Sequence, residues 1–144
     1  MNHGVPDGFA PHFRKSGLTD PWEPLFSRHT GDAIVIGLRA GPAHANSRGF
    51  VHGALITALA DNAMGLSCGL ALDGASGLVT VGLSVDFLST ARLGQWLEIR
   101  PVVLKSGRNL SFCSATVHAD DTLCQKRCLH HDRHRSPRHT PRGQ

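Results

Sequence analysis

Residues 43–64 hold the groups in this chain that are best suited to chemistry on a carbonyl, and they read AHANSRGFVHGALITALADNAM. Gly53 begins a predicted helix, where exposed backbone N–H groups at the positive end of the helix dipole can stabilise a developing oxyanion. Asp61 lies in the middle of the same apolar segment, where a carboxylate is costly unless it is paired, hydrogen-bonded or faces a cleft. Asp61 is therefore either a structural acid or a catalytic base.

Three further polar residues have both a structural and a functional interpretation. Asn46 is of a type that commonly caps turns and helices, and a lone histidine such as His52 is more often a structural residue than an acid–base group. Thr80 follows a strand pattern, in which a threonine is ordinarily a surface residue. Spacing alone leaves the function of all three open.

The separation of Gly53 and Asp61 limits how they could act together. They are eight residues apart, which is about 12 Å along a helix at 1.5 Å per residue. One helix cannot bring both groups to a single carbonyl. Two such helices that lie antiparallel across a dimer interface could do so, which favours a site shared by two copies of the chain.

The elements that must position these residues follow from hydrophobic periodicity. An alternating strand precedes a long helix that is apolar nearly all round, and three strands joined by short turns follow it. This order predicts an α+β fold in which an antiparallel sheet curls round one central helix. The edges of such a sheet favour pairing with a second copy, as a homodimer or a dimer of dimers. The predicted elements are a strand at 33–39, a helix at 53–72, and strands at 78–88, 95–105 and 109–118.

The two ends of the chain differ from this body. Residues 1–32 are rich in Gly and Pro, and we expect an N-terminal extension with one helical turn containing Trp22, Leu25 and Phe26. Residues 125–144 carry six Lys or Arg and one acid, and their pattern predicts no strand. We therefore expect a basic, disordered or aberrant tail, with part of the last strand missing from the body.

Composition excludes several classes of function. The chain of 144 residues is the size of one domain, and without the tail its net charge is −1, which does not favour specific binding to nucleic acid or anionic lipid. The longest apolar stretch is interrupted by Asp61 and Asn62, and we expect no membrane span and no signal peptide. The four cysteines suit reduced thiols in a cytoplasmic protein better than a disulfide framework, and the Cys and His residues of the tail match no closed zinc motif.

Taken together, the motif His44-x-Asn46-x-x-Gly49-Phe50-Val51-His52-Gly53, followed by Asp61, resembles the signature of hotdog-fold acyl-CoA thioesterases. The likeness is to the phenylacetate-degradation (PaaI) type and its 4-hydroxybenzoyl-CoA relatives. It continues through residues 79–81 and 86–94. The resemblance implies a hotdog thioesterase domain over residues 33–124.

The resemblance also implies residue roles in hydrolysis of an acyl-CoA thioester to free acid and thiol. Asn46 and the Gly53 N–H would polarise the thioester carbonyl. Asp61 of the partner subunit, oriented by Thr80, would activate water or attack directly, and His52 would be a supporting residue. This chemistry requires no metal or cofactor, because a thiolate leaves without a strong acid.

One departure from the family pattern lies beside Gly53, because the family usually has two glycines where this chain has Gly53 and Ala54. The added methyl group lies near the oxyanion donors, and we expect it to narrow the acyl pocket. A second function also fits the resemblance, namely a non-catalytic acyl-CoA-binding module on the same fold. A hotdog hydratase or dehydratase fits less well, because the chain has no suitably placed His and acid pair after the helix.

Overall fold

The computed structural model describes residues 4–72 and 77–133, the last nine of them by their backbone alone. The described chain forms one long helix and seven strands, with two short 3-10 turns at Asp20–Trp22 and Pro42–His44. The helix is α1, Gly53–Leu70. The strands are β1 (Ala10–Pro11), β2 (Phe26–Thr30), β3 (Ala33–Arg39), β4 (Leu78–Phe87), β5 (Trp96–Ser106), β6 (Leu110–Ala119) and β7 (Thr122–Arg133).

The strands form one antiparallel sheet in the order β1-β2-β3-β5-β6-β7-β4, and α1 packs against its inner face. This is the predicted α+β architecture, and β3 has its predicted bounds. The helix begins at the predicted Gly53 and ends at Leu70, two residues before the predicted end. The core between helix and sheet contains fully buried side chains from both, among them Leu59, Met64, Ile36, Leu97 and Val117.

A buried serine fastens α1 to the sheet. Ser67 Oγ donates to the carbonyl of Ala63 at 2.7 Å and accepts from the backbone N–H of Ile34 in β3 at 3.0 Å. Both bonds are buried, so no water competes for them. By length and composition α1 could cross a membrane, but its packing against the sheet makes it the core helix of this fold.

The N-terminal residues are part of the sheet, which differs from the expected extension. Strand β2 pairs with β3 in a tight hairpin through Gly31, whose φ of +43° suits glycine, and β1 pairs with β2. The expected helical turn is present only as the 3-10 turn that contains Trp22. Phe26 instead pairs with Gly37 in the sheet, because an open β3 edge offers hydrogen-bond partners that no local pattern reveals.

The expectation of a tail from residue 125 was wrong over residues 125–133, which continue β7. This strand lies between β6 and β4 and pairs with both. Pairing on both sides supplies partners for the backbone and overrides a sequence pattern that does not alternate. The body is therefore not missing this part of its last strand, and the rest of the expected tail, residues 134–144, lies outside the described residues.

Candidate active site

The first turn of α1 leaves the backbone N–H of Gly53 available. His52 precedes the helix, and its Nδ1 accepts from the N–H of Ala54 at 3.0 Å. Within residues 4–72 and 77–133, the N–H of Gly53 has no hydrogen-bond acceptor. The cap supplied by His52 thus satisfies one N–H and leaves that of Gly53, at the positive end of the helix dipole, for a ligand.

An aromatic ring covers the same glycine. A Cβ atom built on Gly53 lies only 3.0 Å from Cζ of Phe87, at the end of β4. Any side chain at residue 53 must therefore displace this ring. Packing against this ring, as well as access to the backbone N–H, therefore favours glycine at the start of α1.

The side chain of Asn46 closes the turn that leads into α1. Its Oδ1 accepts from the N–H groups of Arg48 at 2.9 Å and Phe50 at 3.1 Å. These bonds use the oxygen alone, so the two N–H donors of the amide take no part in them. Asn46 and Gly53 line one cleft of about 310 Å³, together with Phe87. Asn46 is therefore a turn-capping residue that also presents donors beside Gly53.

The carboxylate predicted in mid-helix is hydrogen-bonded and faces a cavity. Thr80 Oγ1 donates to Asp61 Oδ1 at 2.9 Å, and Asp61 is half-buried. The bond fixes the carboxylate and leaves its second oxygen for a substrate or a water molecule. Asp61 and Thr80 line a cavity of about 510 Å³, which runs along α1 past Gly65 and Gly69.

An irregularity in β4 allows one strand to contact both the start and the middle of α1. Thr80 and Phe87 are seven residues apart, so a regular strand would direct them to opposite faces. Thr80 pairs with His131 and Gly82 with His130, which leaves Val81 as an extra residue. This bulge shifts the alternation, and both Thr80 and Phe87 contact α1.

Two histidines of the motif have structural contacts. His44 is buried, its Nδ1 accepts from the N–H of Gly41 at 2.9 Å, and its Nε2 lies 2.8 Å from the carbonyl oxygen of Trp22. His52 and Ala54 line a separate cleft of about 220 Å³ beside His44. Ala54 thus lines this cleft and not the cleft of Asn46 and Gly53, and the effect of its methyl group on the acyl pocket stays a prediction.

The structure divides the predicted site residues into two groups. Asn46 and Gly53 line the first cleft, Asp61 and Thr80 line the second, and His52 lies beside the first as a helix cap. We call these clefts the carbonyl half-site and the carboxylate half-site. No described residue lines both clefts, and Gly53 and Asp61 are about 12 Å apart along α1, so one chain does not bring the two groups together.

The N-terminal region contributes residues that the sequence did not reveal as functional. Phe13, Arg14 and His29 line the carboxylate half-site. Next to them His12 is 1 % exposed, and neither of its ring nitrogens has a hydrogen-bond partner among the described residues. Burial lowers the pKa of this imidazole. Irregular Gly- and Pro-rich sequence carries no periodicity that could predict such contacts. No group of three His, Cys, Asp or Glu in the described part of the chain could hold a metal ion.

Comparison with known proteins identifies the family. The model of the thioesterase superfamily matches residues 48–125, which is more than half of the chain. A Pseudomonas aeruginosa protein named as an esterase is 39% identical over 120 residues, 83% of this chain and 90% of that protein. Human acyl-coenzyme A thioesterase 13 is 32% identical over 81 residues, which cover 56% of this chain and 57% of the human one.

Solved structures have the same fold. Zebrafish thioesterase superfamily member 2 matches with a TM-score of 0.76 at 20% identity, over 83% of this chain and 88% of that one. A Streptococcus pneumoniae thioesterase structure with coenzyme A matches with a TM-score of 0.70 at 18% identity, over 77% and 89%. The chain belongs to the thioesterase superfamily. It is a hotdog-fold enzyme of the class that hydrolyses thioesters, which confirms the predicted fold and reaction class.

Proposed function

We propose that the chain hydrolyses acyl-CoA thioesters to the free acid and coenzyme A, in a site shared by two copies of the chain. The hydrogen bond from Thr80 to Asp61, which presents a fixed carboxylate to a cavity, carries the proposal. The name of the human relative and the coenzyme in the Streptococcus structure support acyl-CoA as the substrate.

The carbonyl half-site supplies the electrophilic contacts. The N–H of Gly53 and the amide donors of Asn46 bind the thioester oxygen and stabilise the charge that it gains on attack. His52 supports this geometry because its cap on Ala54 fixes the first turn of the helix. Such donors act most strongly where charge develops, so they lower the barrier more than they tighten substrate binding.

The carboxylate half-site supplies the attacking group. Asp61 either accepts a proton from water as the water oxygen bonds to the carbonyl carbon, or its own oxygen bonds to that carbon. In both routes the C–S bond then breaks and the thiolate leaves. In the second route this gives an anhydride of Asp61, which water hydrolyses to release the acid and restore the carboxylate. Thr80 orients Asp61 for either route through its 2.9 Å hydrogen bond.

A second copy unites the two half-sites. Among the described strands β4 pairs only with β7, so its outer edge is open. Strand β4 also carries large apolar side chains that are exposed: Val79 is 51% exposed, Val81 55% and Phe87 56%. An open apolar edge is the kind of surface that pairs with another chain. We therefore propose a homodimer, or a dimer of dimers, in which the carboxylate half-site of one chain meets the carbonyl half-site of the other.

The environment of the thiols supports a cytoplasmic location. Cys68 and Cys113 are fully buried in the core between α1 and the sheet. Buried thiols of this kind persist where the surroundings are reducing. The location is checked by whether the expressed protein is found in the cytoplasmic fraction.

Replacement of Asp61 by Asn tests the reaction. Free thiol is measured with a panel of short, long and aryl acyl-CoA esters, and size-exclusion chromatography follows the assembly. Asp61→Asn should lose about 100-fold or more in turnover, the usual contribution of a general base, while remaining a folded oligomer. Unchanged turnover would contradict the proposal. Binding of acyl-CoA with no thiol release by the wild type would instead support the non-catalytic binding module.

A further inference from the structure

The carboxylate half-site has an open groove beside Asp61. Asp61, Gly65 and Gly69 follow one another at four-residue intervals, so they share one face of α1. A Cβ atom on Gly69 would meet nothing within 4 Å, so packing does not require this glycine. Glycine inside a helix costs about 1 kcal/mol relative to alanine. The gain is space along the helix, which an acyl group can occupy.

The N-terminal segment forms a wall of this cavity and is fixed on both sides of Arg14. Before Arg14, the buried His12 donates its backbone N–H to the carbonyl of Leu25 at 2.9 Å. After it, Lys15 forms an ion pair with Glu23 at 2.6 Å. The ring of Phe13 lies 5.6 Å from that of His29, which adds an aromatic contact to β2. Arg14 is exposed, but its backbone is held at the cavity.

The charges of the cavity are the third observation. Among the described residues that line the cavity, Asp61 is the one carboxylate and Arg14 is the one side chain that is always positively charged. Within the described ranges Arg14 has no ion pair, whereas Lys15, Glu98 and Arg100 all have one. A guanidinium binds a carboxylate through two parallel hydrogen bonds, and its charge is present at every physiological pH.

Building on the proposed function, we propose that Arg14 selects acyl groups that end in a carboxylate. With the thioester carbonyl beside Asp61, the acyl group extends along the groove lined by Gly65 and Gly69. A negative charge at its far end is then attracted by the positive charge of Arg14. The aromatic wall at Phe13 and His29 packs against its methylene groups. The same cation could instead bind the phosphates of coenzyme A, which every acyl-CoA shares, and the experiment separates these two anions.

The test compares substrates that differ only in the terminal charge. Glutaryl-CoA is measured against pentanoyl-CoA, and adipoyl-CoA against hexanoyl-CoA, as the ratio of kcat/KM values from free-thiol release. The wild type should favour the carboxylated member of each pair. Arg14→Ala should lower each ratio by about fivefold, as expected for a partly exposed ion pair of about 1 kcal/mol. Arg14→Lys keeps the charge and should restore part of the preference.

Another exposed arginine provides the matched control. Arg108→Ala removes the same charge from the turn between β5 and β6, and Arg108 lines neither half-site, so the ratios of this variant should equal those of the wild type. A fall in both members of a pair by one factor in Arg14→Ala would assign Arg14 to the coenzyme and overturn the inference. Hydrolysis with no preference in the wild type would also overturn it, while leaving the proposed function intact. Failure to hydrolyse any ester would overturn the proposed function itself.

Discussion

The two half-sites are built in different ways, although both lie on α1. The carbonyl half-site consists of a backbone N–H and a turn-capping side chain, which are seven residues apart in the chain. The carboxylate half-site depends on a bond between Asp61 and Thr80, nineteen residues apart, and on the bulge at Val81 that directs Thr80 inward. The first is therefore fixed by local structure, and the second by the packing of helix against sheet.

Asn46→Asp gives the largest effect expected from this contrast. The carboxylate can still accept from the N–H groups of Arg48 and Phe50, so the turn should persist. The variant loses both amide donors and places a negative charge beside the developing oxyanion. Turnover should fall by about 100-fold or more, as for loss of an oxyanion-hole donor.

The matched variant for this test is Asn46→Ala, which loses the turn bonds as well. Thermal unfolding should show that it is less stable than Asn46→Asp, although both have low turnover. If the turnover of Asn46→Asp equals that of the wild type, the amide donors of Asn46 do not contact the substrate.

Thr80→Val should produce an intermediate effect on the carboxylate half-site. It keeps the shape of the side chain but removes the donor to Asp61. A hydrogen bond to a charged group contributes about 1.5 kcal/mol, so kcat should fall about tenfold with little change in KM. Thr80→Ser keeps the donor and should retain most of the activity. Equal kcat values for the valine variant and the wild type would show that Asp61 does not need this orientation.

Gly53→Ala should have the smallest effect, and it concerns packing at the carbonyl half-site. The added methyl group must displace the ring of Phe87, at a cost of about 1 kcal/mol in the free energy of unfolding. In a Phe87→Ala background the same change should cost nothing or stabilise the helix, because alanine is the better helix former. Denaturant unfolding of the four proteins measures this coupling, and an equal cost in both backgrounds would contradict the contact.

The same contrast explains what could be predicted from the sequence. The carbonyl half-site could be predicted from the sequence because Asn46 and Gly53 lie close together in the chain. The helix also begins at a glycine that follows a capping residue. The pairing of Asp61 with Thr80 could be predicted only from the family resemblance. Periodicity identifies the helix and the strand, but it does not tell which residue of one faces which residue of the other. Neither the periodicity nor the resemblance predicts the bulge in β4. The contact of Phe87 with Gly53 depends on this bulge, so it could not be predicted either.

The strands near the two ends of the described chain show the same limit on what a sequence can predict. Strand β2 and residues 125–133 lack a clear alternation, and each forms a strand because neighbouring strands offer partners along their length. The wall formed by Phe13 and Arg14 depends on that pairing, since β1 and β2 carry the N-terminal segment to the cavity. Contacts that arise from long-range pairing are thus the ones that a single sequence conceals.

Complementation between two inactive variants tests the shared site most directly. Asp61→Asn and Asn46→Asp chains are co-expressed with different affinity tags, and the dimer that carries both tags is purified. In this mixed dimer one of the two shared sites contains both defects and the other contains none. Its turnover should therefore be about half that of the wild-type dimer, while each parent dimer stays inactive. A mixed dimer as inactive as its parents would show that each site lies within one chain, and would contradict the account.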